Sequence, residues 1–397
     1  MKTLIELFEE RGVENVIAPE TFRPERIVYL CPEEIAGNRR LQNCLKEHFA
    51  DRGLKAGLDF IPCSLYQSDL ILQQLNRVVV SRPDCVMDVT GGTDAALFAA
   101  GMLRGQLGIP AFTYSRRQNR FYDIGGASFA DGVECTLQYT AAEFFRIAGG
   151  EMRRGRVDNA VLSGCMKYFD PFFQIFLRNR RNWNDAVTFF QRISQQPEGE
   201  KIRLSVSGNR MQKAERGGRV TADTGLLQEL TDLGFLKDTD LHDDESISFR
   251  FRDELVRSWL RDMGSVLELY MYKVCRDAGI FRDVVCSAVV NWDDGTDGDP
   301  VSNEIDVVAT RGTVPLFISC KTCAVRTEAI NELAVLRDRF GGKGAKAVIV
   351  TSESCGSAAR HRAAQMGIAV IDREELKQGL AGARLRVIMK LDDDIRK

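Results

Sequence analysis

Histidine is scarce in this chain: there are three in 397 residues, His48, His242 and His361, and none stands beside a candidate nucleophile. Catalysis by a Ser-His or Cys-His pair is thereby disfavoured, and carboxylates with lysine become the reactive groups to look for. Net basic charge is missing too. Lys and Arg number 54 against 56 Asp and Glu, for a net charge of −2. Bulk charge gives no nucleic-acid footprint, although a local patch stays open. No apolar run approaches the roughly 20 residues that span a bilayer. The opening MKTLIELFEERGVENVIAP is too acidic for a secretory signal and lacks a continuous apolar stretch. No membrane partner and a cytoplasmic location are expected. The eleven cysteines, among them Cys31, Cys63, Cys85 and Cys286, are mostly isolated in apolar stretches, which fits buried thiols in a reducing compartment. The one CxxC, Cys320 and Cys323, has no second ligand pair for zinc. A Walker A loop and GxGxxG are both absent, which disfavours ATP hydrolysis and dinucleotide binding.

The length exceeds one hydrophobic core, so two or three domains are expected. From residue 26 to 140, short apolar runs alternate with helical patterns. RIVYL (Arg26 to Leu30), LDFIPC, CVMDVT and IPAFTYS read as strands, separated by amphipathic segments such as NRRLQNCLKEHFADRG and SDLILQQLNRVVVSR. Such alternation argues for a parallel, doubly wound sheet. Residues 141 to 193 read as mainly helical and arginine-rich, with Arg146, Arg153, Arg154, Arg156, Arg178, Arg180 and Arg181. They could line a nucleic-acid path or form a solvated face. After the polar break SQQPEGEK, residues 222 to 260 give a helix, a loop KDTDLHDDES, a strand ISFRF and another helix, an order like a small winged-helix module. A mixed α/β pattern follows from Met263. The expected domains are 1–145, 146–260 and 261–397.

Thr90-Gly91-Gly92-Thr93 lies between the strand CVMDVT and the helix DAALFAAGMLRGQLG. Glycine lets a backbone approach a ligand closely, and a helix N-terminus offers free N–H groups to phosphate. A tight turn with Thr93 or Asp94 as helix cap explains the same residues equally well.

The stretch NEIDVVATRGTVPLFISCK (Asn303 to Lys321) reads as two strands around a Gly312-Thr313 turn, suited to a type II′ hairpin. That register sets Glu304 opposite Lys321 and Asp306 opposite Ser319. Strand alternation then gathers all four on one face, with Ile305, Val307, Ile318 and Cys320 on the other. Two such readings stand. One is a solvated face with a cross-strand Glu–Lys pair. The other is an oxygen site for Mg²⁺ or Mn²⁺, with Lys321 beside it to orient a water or stabilise charge on a phosphate.

The E-x-D…S-x-K arrangement resembles the PD-(D/E)xK nuclease core. The resemblance implies Asp306 as first acid, Lys321 as the lysine and Glu268, in GSVLELYMY, as the helical glutamate. Ser319 stands where the family's second acid belongs, and Glu304 could supply the missing charge. With TLIELFEERGVENVIAPETFRPERIVYL and DVTGGTDAALFAA, the whole chain is similar to the CARF-domain CRISPR ancillary nucleases. That implies a Rossmann-like CARF sensor, a helical or winged-helix-like middle segment and a restriction-endonuclease-like C-terminal domain. It also implies a homodimer that cuts DNA or RNA on binding a cyclic oligoadenylate, cyclic tetra-adenylate foremost. Thr90, Gly91, Gly92 and Thr93 carry over as ligand contacts, and Pro32, between Cys31 and Glu33, as a further one. The metal contacts implied are Asp306, Glu268 and Glu304. A sensor without catalysis, binding nucleic acid through residues 222–260, is the alternative that Ser319 supports.

Overall fold

The computed structural model describes residues 2–10, 12–153, 166–197, 199–214, 218–293 and 301–390. Arg154 and Arg156, and most of the acidic stretch 293–300, lie outside them.

Six N-terminal strands form one sheet: β1 (Thr3–Leu7), β2 (Arg26–Cys31), β3 (Gly57–Pro62), β4 (Cys85–Asp88), β5 (Ala111–Ser115) and β6 (Arg120–Gly125). The order is β3-β2-β1-β4-β5-β6, parallel except for β6, which runs antiparallel to β5 at the edge. All five residues of β1 are buried. Leu4 and Ile5 enter separate apolar clusters on the two faces. A sheet covered on both faces needs such apolar central strands. Asn38 caps the Arg39–Asp51 helix, its side chain accepting from the Leu41 N–H at 3.0 Å.

The middle of the chain packs the helices Phe169–Asn179, Trp183–Ile193 and Thr224–Asp232 beside a three-stranded sheet. β8 (Ser205–Asn209), β11 (Leu236–Leu241) and β12 (Ser246–Phe251) take the order β11-β12-β8, and β9 (Met211–Lys213) pairs with β10 (Arg219–Thr221) in a separate ribbon. Phe172 sits edge-on to Trp183 and to Phe235, which closes this core with aromatic contacts. One expectation fails here. KDTDLHDDES was read as a loop, yet its first part continues β11. The strand lies at a sheet edge with mostly exposed side chains, so it has no apolar alternation to read, and its charges guard the edge.

The second large sheet consists of β13 (Asp283–Asp293), β14 (Val301–Arg311), β15 (Val314–Lys321), β16 (Lys346–Thr351) and β17 (Ile368–Ile371), with β7 (Glu151–Arg153) at the edge. The order is β17-β16-β15-β14-β13-β7. β13, β14 and β15 pair antiparallel, while β15, β16 and β17 are parallel. The Ser265–Ala278 helix packs with one face through Val266, Leu267 and Met271. The Thr327–Gly341 helix covers the other through Ile330 and Leu333. β7 belongs to the middle segment by sequence but joins this sheet through the pairs Arg153–Val289 and Met152–Val290. Among the described residues, no helix is long and apolar enough to cross a membrane.

The hairpin is therefore an interior pair of a sheet buried on both faces, not a solvated ribbon. Its alternation also breaks. Cys286 pairs with Val307 and Ala288 with Ile305, but Ser287 and Asp306 do not form a pair between them. Ser287 has φ 52, the left-handed region that few non-glycine residues adopt. Across this kink, Cys286 and Val307 lie in the cluster under the Ser265–Ala278 helix, whereas Ala288 and Ile305 lie in the other. The expectation that Ile305 shares a face with Val307, Ile318 and Cys320 is thus corrected.

Candidate active site and TGGT loop

The turn forms as its residues dictate. Gly312 has φ 58, and Thr313 is not among the residues with positive φ, which matches a type II′ turn. The pairs Arg311–Val314 through Val307–Ile318 follow the expected register. Beyond them the ladder opens. The Cys320 backbone N–H donates to Asp306 Oδ2 at 2.6 Å, and the Ser319 hydroxyl lies 3.4 Å from the same oxygen. A side chain has replaced the neighbouring strand's carbonyl as acceptor, which parts the strands and fixes the carboxylate.

Glu304, Asp306, Ser319 and Lys321 line one cleft of about 40 Å³, closed by Ala329, Glu332, Leu333 and Leu336 of the Thr327–Gly341 helix. Glu332 is the acidic group that sequence reasoning missed. Its signal was an acid in an otherwise apolar stripe at helical spacing. Burial raises the Asp306 carboxyl above its ordinary range, and neighbouring Glu304 adds to this. The Cys320 N–H and the Lys321 ammonium oppose it.

Glu268 does not line the cleft. It comes from the first turn of the helix on the other face and accepts from Ser287 Oγ at 3.2 Å. The kink at Ser287 thus aims a hydroxyl at this carboxylate. Burial, with Asp306 next in weight, pushes the Glu268 carboxyl up to about 8. Asp306 therefore feels Glu304 from its own strand and Glu268 from behind the sheet.

Among the described residues, no three Asp, Glu, His or Cys side chains form a ready-made metal cage. The donor set still fits a hard divalent cation. Mg²⁺ keeps several waters and needs only one or two protein carboxylates, and the oxygens here are carboxylates whose protonation reflects burial and mutual repulsion.

At the TGGT loop, Thr93 caps the Asp94–Leu107 helix, its Oγ1 accepting from the Ala96 N–H at 3.2 Å and donating to the Leu65 carbonyl. Thr90 is tied to Asp88, which accepts from the Thr90 N–H at 2.8 Å and from its hydroxyl. Burial raises the Asp88 carboxyl to about 7. The glycines answer to packing. A Cβ on Gly91 would lie 2.7 Å from the Leu7 carbonyl oxygen, and Gly92 has φ 90 with its Cβ position 2.8 Å from Leu7 Cβ. The close approach they permit is to β1. Pro32 lines a crevice of about 530 Å³ with Glu33, Cys63, Ser64 and Tyr66, among others, and the four TGGT residues are not part of its lining. Both features lie at the carboxyl ends of parallel strands, where such sheets bind ligands.

A buried strand pair opening on two acids and a lysine, in a mixed sheet between helices, defines a nuclease-like C-terminal domain. Residues 254–382 match the Card1-like endonuclease domain family. Among solved structures, protein VC1899 from Vibrio cholerae is 17% identical with TM-score 0.71, covering 98% of each chain. Can2 from Sulfobacillus thermosulfidooxidans, solved in complex with cyclic tetra-adenylate, is 18% identical with TM-score 0.66, covering 96% of each chain. No curated protein matches. The fold is the Can2-like CARF-nuclease fold, and with the endonuclease-domain match it supports the CARF-nuclease family that the motifs resemble.

Proposed function

We propose that this chain is a metal-dependent endonuclease of CRISPR antiviral defence, switched on by a cyclic oligoadenylate bound to its N-terminal domain. The observation that carries this is the cleft of Glu304, Asp306, Ser319 and Lys321 within a Card1-like endonuclease domain. Mg²⁺ or Mn²⁺ held by Asp306 with Glu304 or Glu268 would supply Lewis-acid polarisation of the phosphodiester and a more acidic water. Lys321 orients that water or stabilises charge on the phosphate. Ser319 replaces a ligand carboxylate by a hydroxyl that faces Asp306, so the negative charge comes from Glu304 and Glu268.

The messenger reading rests on the position of the TGGT loop and Pro32, and on the Can2 fold. A two-fold symmetric ring suits a homodimer that presents the same loops twice. Leu70 on the Ser68–Ser81 helix and Phe98 and Met102 on the adjoining Asp94–Leu107 helix are exposed, Phe98 to 64%. Such a patch suits a partner copy. Light scattering is expected to give twice the chain mass, and a Phe98→Lys, Met102→Lys variant to give one chain. A single-chain mass for wild type would remove the dimer.

The catalysis-free alternative, with residues 222–260 as its nucleic-acid contact, is the reading that the charge of this segment favours less. Asp238, Asp240, Asp243, Asp244 and Glu245 crowd the β11–β12 end, which repels a phosphate backbone. Purified protein should be incubated with Mn²⁺ or Mg²⁺, plasmid, single-stranded DNA and RNA, with and without cyclic tetra-adenylate. Messenger-stimulated cleavage is expected, and no cleavage in any combination would sink the proposal.

A further inference from the structure

The chain leaving β1 joins the TGGT loop to the endonuclease domain. Its Glu9 backbone N–H donates to Asn15 Oδ1 at 2.8 Å, and Asn15 Nδ2 donates back to the Glu9 carbonyl at 2.7 Å. Glu9 is thereby pinned against the TGGT loop, where a Cβ on Gly91 would come within 3.2 Å of Glu9 Cβ. On its far side, Glu9 Oε2 accepts from Lys343 Nζ at 2.8 Å. Lys343 lies in the turn Gly342–Gly344, directly after the Thr327–Gly341 helix. That same helix supplies Glu332 to the catalytic cleft. The two domains also touch through their backbones here, since a Cβ on Gly12 would sit 3.5 Å from Gly342 Cα.

The ion pair is lopsided. The Glu9 side chain is 15% exposed and held, whereas Lys343 is 64% exposed on a flexible stem. A polyanion arriving at the TGGT loop would meet a fixed carboxylate and an ammonium able to swing. Repulsion from the first and attraction to the second act in the same direction.

We propose that Lys343 is a messenger-binding residue contributed by the endonuclease domain. On messenger binding its ammonium leaves Glu9 for a phosphate of the cyclic oligoadenylate, and it draws the Gly342–Gly344 turn with it. This deepens the proposed function and rests on the messenger occupying the TGGT face. It gives the ligand unequal contacts in two states of the interface, which coupling between sites requires.

The test uses full-length protein and cyclic tetra-adenylate, with binding measured by calorimetry at two salt concentrations and cleavage in parallel. Lys343→Met is expected to weaken binding about tenfold and to flatten its salt dependence. Lys343→Arg is expected to retain most of the affinity, and Glu9→Gln to tighten binding a few-fold while raising messenger-free cleavage. If wild type binds and is activated while Lys343→Met matches it in affinity and salt slope, this inference is overturned and the sensor reading stands. A wild-type chain that binds no messenger overturns both. Should Lys343→Met not fold, the Lys343→Arg and Glu9→Gln results decide, and unchanged affinity in Glu9→Gln counts against the exchange.

Discussion

Lys321→Ala is expected to lower messenger-stimulated cleavage by about 10²–10⁴-fold while leaving messenger binding unchanged. Lys321 reaches the cleft from the end of β15 and is a cation beside Asp306, holding that carboxyl down against burial. Its loss removes charge stabilisation at the phosphate and leaves Asp306 more reluctant to ionise. The N-terminal sheet, where the messenger is proposed to bind, is separate from the sheet that holds Lys321, so calorimetry with cyclic tetra-adenylate should match wild type. Side-by-side cleavage time courses check the first half. If the chain binds nucleic acid without cutting it, Lys321→Ala and wild type will be indistinguishable, and the catalytic reading of the cleft fails.

Metal affinity should depend steeply on pH. The Glu268 carboxyl is pushed up to about 8, and burial raises Asp306 as well. A cation takes the ionised form and so displaces protons. The apparent Mn²⁺ affinity is expected to rise roughly tenfold per pH unit between about pH 6 and 8 for each proton displaced, then level off. The metal-free protein moves the other way. A carboxyl whose folded pKa lies above its unfolded value binds more protons when folded, so its stability contribution is fully present below the unfolded value. It is lost as pH rises through the folded one. Glu268→Gln should flatten both trends. Calorimetric Mn²⁺ titrations at three pH values, with denaturant midpoints of the metal-free protein, measure them. An affinity flat across this range would take Glu268 out of the site.

Local chemistry was legible in the chain. The strand RIVYL, the Thr93 cap and the helices on either side of the nuclease sheet follow from apolar period and capping residues. So does the Gly312-Thr313 turn with the register adjoining it, because a two-residue loop permits few pairings. The TGGT glycines were legible as necessary but not as to why, since the Leu7 carbonyl that excludes a Cβ lies far off in sequence. β11 was missed because an exposed edge strand carries no apolar alternation.

By itself, the sequence determined the strand–helix alternation from β2 to β5 and from β13 to β17, the hairpin and the residue types able to do the chemistry. Each depends on neighbours within a few positions. Only the tertiary structure decided which of those residues meet. The reversal of sheet faces at Ser287 and Asp306 comes from a backbone angle on one strand and a missing pair on another. Glu332 enters the cleft because one helix covers it, and Glu268 approaches from the opposite face. The Glu9–Lys343 contact joins residues 334 positions apart. Such meetings are set by packing of whole layers, which no local pattern encodes.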